Sequence, residues 1–141
     1  MAYLNVKKLL TKIVKGPIVI KTGTTSTVLS TGVSCHWKFK IWSDGRCEMW
    51  GVIDSGYYHM TQAYGYAYYN YYTLSWPSYA YPGQTFTPDF ISVQRGAGDG
   101  YDLIHLEVSS SNSDTFSFYA IDTYSSSRAF EVTVYATGFV S

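Results

Sequence analysis

The fifteen residues from Trp37 to Gly51, WKFKIWSDGRCEMWG, limit what this chain can fold into more than any other segment, because they specify a β-hairpin and its register. Two extended runs flank Ser43, Asp44 and Gly45. A three-residue loop needs a type I turn followed by a residue with positive φ, which Gly45 supplies without a Cβ clash. That loop puts Trp37, Phe39, Ile41, Cys47, Met49 and Gly51 on one face. On the other, Lys38 opposes Trp50, Lys40 opposes Glu48 and Trp42 opposes Arg46. A two-residue loop would slip the register by one and carry Lys40 and Glu48 onto the apolar face, which selects the three-residue loop. Cross-strand aromatic and opposite-charge pairs each contribute roughly 0.2–1 kcal/mol, and a cation over an exposed Trp about as much.

The rest of the chain reads as one all-β domain behind a short helix. At 141 residues a single domain is expected, one that buries about two-thirds of the unfolded surface without staples. Residues 3–15 place Val6, Leu9, Leu10 and Ile13 at helical spacing, with Lys7, Lys8, Lys12 and Lys15 elsewhere, and Gly16 and Pro17 end the run. The division expected is an amphipathic helix over 1–16, a possible oligomerisation stalk, and an antiparallel β-sandwich or jelly roll over 17–141. A helix this short is marginal alone, so its stripe docks either on the domain's own sheet or on the same helix of other subunits. Pro17 to Lys21 and Ser26 to Ser34 read as short strands around a turn at 22–25. Phe86, Phe90, Ile91 and Val93 read as short strands broken by Pro88, with a turn over 96–100. Ile104, Leu106 and Val108 alternate strictly up to a loop at 109–113. Phe116, Phe118 and Ala120, then Phe130, Val132, Val134 and Ala136, mark two later inner faces. Eight to ten strands result, at sandwich spacing.

Charge and cysteine usage exclude several function classes. Net charge is zero but segregated, since residues 1–40 hold seven Lys and no acid while 41–141 hold three Arg and all ten acids. The lysines are spread over a helix and a strand, which does not make a nucleic-acid surface. The first residues interleave Lys with Leu, making a poor signal peptide and a run far too short to span a bilayer. The register separates Cys35 and Cys47 by six ladder positions, on the order of 20 Å, beyond disulfide reach, so both read as reduced core residues of a protein folded in a reducing cytoplasm.

No catalytic constellation emerges. His36, His59 and His105 lack metal-ligand spacing, and His105 reads as partly buried in its strand. Asp99 and Asp102 flank Gly100 as turn formers before they are calcium ligands. Asp89, Asp99, Asp102 and Glu107 do not define a glycosidase pair, whose carboxyl separation a sequence cannot give. The chain therefore reads as a non-enzyme without metal or cofactor.

The tyrosines stand apart. Residues 57–81 hold ten of the fifteen in the chain, on both strand parities. A buried phenol needs a partner for its hydroxyl, so this density fits subunit interfaces, exposed recognition surfaces or ordinary sheet packing.

The hairpin also carries a resemblance. Trp37, Phe39, Trp42, Ser43, Asp44, Gly45, Glu48, Trp50 and Gly51 resemble the Trp-rich hairpin, W-x-Y-x-K-W-S-D-G-x-x-E-x-W-G, near the start of C-terminal domains of tail-fibre and baseplate proteins of phages and prophages of Gram-positive bacteria. The chain departs from that form at Ile41, where a basic residue is common, and in its tyrosine density. The resemblance implies a virion component: a homotrimeric β-rich head, joined to other tail proteins, that contacts a host-surface glycan or wall polymer. On that reading Tyr69, Tyr71, Tyr72 and Trp76 are the candidate sugar-stacking residues, and the hairpin itself is architecture. A structural tail module whose aromatic surfaces only join subunits, and a free lectin-like domain or carbohydrate-active enzyme fragment, remain open alternatives.

Overall fold

The computed structural model describes residues 16–98 and 104–141. The expected N-terminal helix and the Asp99/Asp102 loop lie outside these residues.

The hairpin forms as its turn chemistry dictates. Strand β2 (Ser34–Trp42) pairs with β3 (Arg46–Met60) through Trp37/Gly51, Lys38/Trp50, Phe39/Met49, Lys40/Glu48 and Ile41/Cys47. Gly45 has φ +92°, its N–H donates to the Trp42 carbonyl at 3.0 Å, and the Arg46 N–H donates to Asp44 Oδ1 at 3.0 Å. Gly51 is also required, because a Cβ there would stand 2.9 Å from the Trp37 ring. The pairings are as expected, but two outer-face side chains take a contact other than the residue opposite. The Lys40 ammonium lies diagonally over Trp50, 5.8 Å from the ring centroid, and Glu48 accepts the Tyr135 hydroxyl at 3.1 Å. A long side chain leans along its strand, so its best partner is not always the residue opposite. Arg46 does sit over Trp42, at 6.0 Å.

Gly45→Ala is expected to cost about 1–2 kcal/mol from the left-handed backbone alone. The new Cβ would also meet the Val140 carbonyl oxygen at 2.7 Å, in the residue whose N–H donates to the Gly45 carbonyl at 2.8 Å. A urea midpoint lowered at unchanged slope checks this.

The hairpin belongs to one of two antiparallel sheets. A five-stranded sheet has the order β1-β2-β3-β9-β6, with β1 Val19–Val28, β6 Phe86–Gly98 and β9 Ser126–Val140. A four-stranded sheet has the order β4-β5-β8-β7, with β4 Gln62–Tyr64, β5 Ala67–Ser75, β7 His105–Ser111 and β8 Thr115–Asp122. The two form a β-sandwich in which, along the chain, the β5/β8 pair nests inside the β3/β9 pair; β3/β9 is flanked by β2 and β6, and β5/β8 by β4 and β7. Rings fill the layer between them. Tyr58 of β3 stacks on Phe130 at 4.4 Å and meets Tyr72 of the other sheet edge-on at 4.9 Å. Trp76 lies 4.6 Å from Phe116, 5.0 Å from Phe86 and 5.9 Å from Trp37. Both buried indoles keep their hydrogen bonds, Trp37 Nε1 donating to Thr27 Oγ1 at 2.8 Å and Trp76 Nε1 to the Asn112 carbonyl at 2.9 Å.

Three boundaries depart from the sequence reading. Strand β1 runs unbroken through 22–25, Gly23 lying opposite Phe39, and the chain instead turns at Leu29–Val33, where the Leu29 N–H donates to the Val33 carbonyl and Gly32 has φ +91°. Three β-branched threonines and a continuous ladder with β2 outweigh one glycine. Strand β6 likewise continues through Pro88 and on to Gly98, with irregular register at both places. It is an edge strand, where a missing N–H and a bulge are tolerated. Strand β7 extends to Ser111, so the loop before β8 is shorter than 109–113.

Cys35 and Cys47 are free and buried. Burial, reinforced by Asp54 beside Cys35 and Glu48 beside Cys47, pushes both thiols from 9.0 up to about 12. Since the folded-state value lies above the unfolded one, this stabilisation is fully present below pH 9 and is lost as pH rises toward 12. Iodoacetamide at pH 8 is expected to label neither cysteine in the folded chain and both in urea, read by intact mass. The urea midpoint is expected to hold up to about pH 9 and fall above it.

Candidate functional site

The outer face of the four-stranded sheet carries a connected row of tyrosines. In β5 the inward residues are Tyr72 and Leu74, which turns Tyr69 and Tyr71 outward; in β8 inward Phe116, Phe118 and Ala120 turn Tyr119 and Ile121 outward. The register then decides which meet. Tyr69 pairs with Ile121 and Tyr71 with Tyr119 across β5/β8, while Glu107 pairs with Tyr119 and His105 with Ile121 across β7/β8. Tyr64, before the β4–β5 turn at Gly65, closes the near end. The rings meet edge to face: Tyr64–Tyr69 at 6.4 Å and 90°, Tyr69–Tyr119 at 5.6 Å and 81°, Tyr71–Tyr119 at 6.5 Å and 74°. Tyr64, Ala67, Tyr69, Glu107, Tyr119 and Ile121 line a shallow groove of about 450 Å³.

This geometry suits a polyhydroxylated ligand. Edge-to-face contact holds each phenol in place through its neighbour and leaves ring faces open to the apolar C–H face of a sugar. Glu107 offers carboxylate acceptors at the groove wall. It lies 3.7 Å from His105 Nε2, both side chains exposed. His105 is therefore solvent-facing, contrary to the partly buried position expected, because Leu106 and Val108 take the inward parity of β7.

Two of the four candidate residues stand on this face and two do not. Tyr69 and Tyr71 are placed as expected, Tyr71 being 58% exposed. Tyr72 and Trp76 are corrected: they are 4% and 2% exposed and belong to the core. Tyr72 has the opposite parity to its neighbours, and its hydroxyl accepts the His59 N–H at 2.7 Å. Burial raises its pKa, the His59 bond opposing that shift. Trp76 follows the end of β5 and plugs the gap between the sheets. Tyr64, Glu107, Tyr119 and Ile121 were missed, since their membership depends on long-range strand pairing. The outward parity of Tyr119 was the one local signal.

The other acids and histidines are dispersed. Asp89 accepts the Thr137 hydroxyl at 2.5 Å on the five-stranded sheet, away from Glu107 on the other. His59 Nδ1 lies 2.6 Å from Ser127 Oγ, its ring stacked near Tyr57. His36 lies between Ser26 Oγ, 3.3 Å from Nδ1, and Asp54 Oδ2, 3.0 Å from Nε2. These three share an exposed sheet face, where β2 is paired on both sides and its backbone N–H groups are committed to ladders. Among the described residues, no three His, Cys, Asp or Glu side chains converge as metal ligands.

A second aromatic row crosses the five-stranded sheet. Trp50 of β3 meets Tyr135 of β9 at 5.8 Å, and Tyr135 meets Phe90 of β6 at 6.2 Å. Trp50 borders a groove on each side, of about 510 Å³ toward β1 and 400 Å³ toward β6. The outer face of the hairpin thus presents a part-exposed indole.

No family model, curated protein or solved structure matches the chain.

Proposed function

We propose that this chain is the head domain of a phage tail-fibre or baseplate protein, homotrimeric in the virion, which attaches to a glycan or wall polymer of a Gram-positive host. The observation that carries the adhesion reading is the Tyr64–Tyr69–Tyr119–Tyr71 row beside Glu107. Tyrosines that remain outside the core, with rings fixed by one another, form a rigid recognition surface that loses little entropy on binding. The Trp37–Gly51 motif supports the family assignment, and the nested strand order of β3/β9 and β5/β8 is compatible with a jelly roll. Edge strand β1 exposes Val19, Ile20 and Val28 immediately after the N-terminal segment, which suits subunit contact there.

The test has two parts. Light scattering of the full chain should give three times its 15.9 kDa mass; a monomer contradicts the trimer. Wild-type chain should sediment with intact Gram-positive cells and bind purified wall polysaccharide. Failure to bind either favours the structural tail module, and hydrolysis of the polysaccharide favours an enzyme.

A further inference from the structure

We propose that the outer face of the five-stranded sheet holds a second saccharide subsite, built on Trp50 and Lys38, which takes a hexuronate: a pyranose ring bearing its carboxylate directly. The subsite is chemically independent of the tyrosine row. Its groove, about 510 Å³, is bounded by Thr24, Ser26, His36, Lys38, Trp50 and Val52. Trp50 is 37% exposed and turns an indole toward it.

Three acids on this face are already engaged, which bears on the charge of the ligand. Asp54 is held by His36 Nε2 at 3.0 Å, Glu48 by the Tyr135 hydroxyl at 3.1 Å, and Asp89 by Thr137 at 2.5 Å. Lys40 lies over Trp50. Among the described residues Lys38 forms no ion pair. A ligand here meets an uncompensated ammonium with the hydroxyls of Thr24 and Ser26 at hand, which selects an anion.

The placement of the charge follows from the register. Lys38 is the direct cross-strand partner of Trp50, and such pairs have Cβ atoms about 5 Å apart. A ring stacked on the indole therefore brings a carboxylate bonded to that ring within reach of the ammonium. A polyol phosphate carries charge but no ring for Trp50, and a neutral sugar carries the ring but leaves Lys38 unpaired. Both are disfavoured relative to the hexuronate.

The experiment is calorimetric titration of the full chain at low ionic strength with trigalacturonate and with its methyl ester, which keeps the ring and removes the charge. The acid should bind about tenfold more tightly than the ester, the margin of one charge-assisted hydrogen bond. Lys38 is exposed, so Lys38→Gln should fold normally; it should weaken the acid about tenfold, leave the ester unchanged, and be rescued by Lys38→Arg. Tyr69→Ala/Tyr119→Ala should bind trigalacturonate as wild type does, which separates this subsite from the tyrosine face. Equal affinity for acid and ester, no effect of Lys38→Gln, loss of binding in the tyrosine variant, displacement of trigalacturonate by poly(glycerol phosphate) at equal concentration, or no binding at all would each overturn the proposal.

Discussion

Replacing Tyr69 and Tyr119 together by alanine is expected to weaken binding to wall polysaccharide by at least about thirtyfold, the scale of one interface hot spot of 2 kcal/mol or more. These two rings form the middle of the row, with Tyr64 leaning on Tyr69 and Tyr71 on Tyr119. Their loss therefore also frees the outer tyrosines to move, and because either single variant already breaks the Tyr69–Tyr119 contact, the combined effect should fall below the sum of the single variants. Both rings are half-buried, so folding should survive with a modest drop in melting temperature. Binding is measured by calorimetry against the same polysaccharide preparation. Tyr71→Ala alone should have a smaller effect, because Tyr71 ends the row and touches one of its rings.

Trp76→Ala is expected to do the reverse, costing about 3–5 kcal/mol of stability as a large core truncation does. The indole contacts rings from both sheets, and its N–H satisfies the Asn112 carbonyl at 2.9 Å. Removal leaves a void, and it also leaves that carbonyl without the bond. For a domain of this size, the melting temperature should fall by about 10–20 °C. Affinity measured well below the new midpoint should remain close to wild type. Thermal melting followed by near-ultraviolet circular dichroism, with calorimetry in the cold, separates the two readouts. An unchanged melting temperature with lost binding would return Trp76 to the recognition surface.

The contrast between these residues shows how far the sequence reaches. Turn chemistry at Gly45 and the need to keep Lys40 and Glu48 off an apolar face settle the hairpin register, and the ladder follows it residue by residue. The inner faces of β8 and β9 are equally legible, because Phe116, Phe118, Phe130 and Val132 alternate without interruption. Parity alone would have separated Tyr69 and Tyr71 from Tyr72, yet in a segment with tyrosine on both faces composition does not say which face is inside. Trp76 stands one residue past the last paired position of β5 and keeps the inward parity of Tyr72 and Leu74, its N–H still donating to the Asp114 carbonyl at 2.9 Å. The row itself depends on β5 and β7 flanking β8, a non-local pairing that places Glu107 beside Tyr119. Glycine and proline misled at 22–25 and at Pro88, since ladder pairing and edge position override local breakers.

Backbone amide and side-chain chemical-shift mapping of the full chain with wall-polysaccharide fragments tests the central claim most directly. Shifts are expected to concentrate at Tyr64, Tyr69, Tyr71, Glu107, Tyr119 and Ile121, with Trp76 and Tyr72 unmoved. Shifts confined to Trp50 and its neighbours on the five-stranded sheet, with the tyrosine row silent, would contradict it.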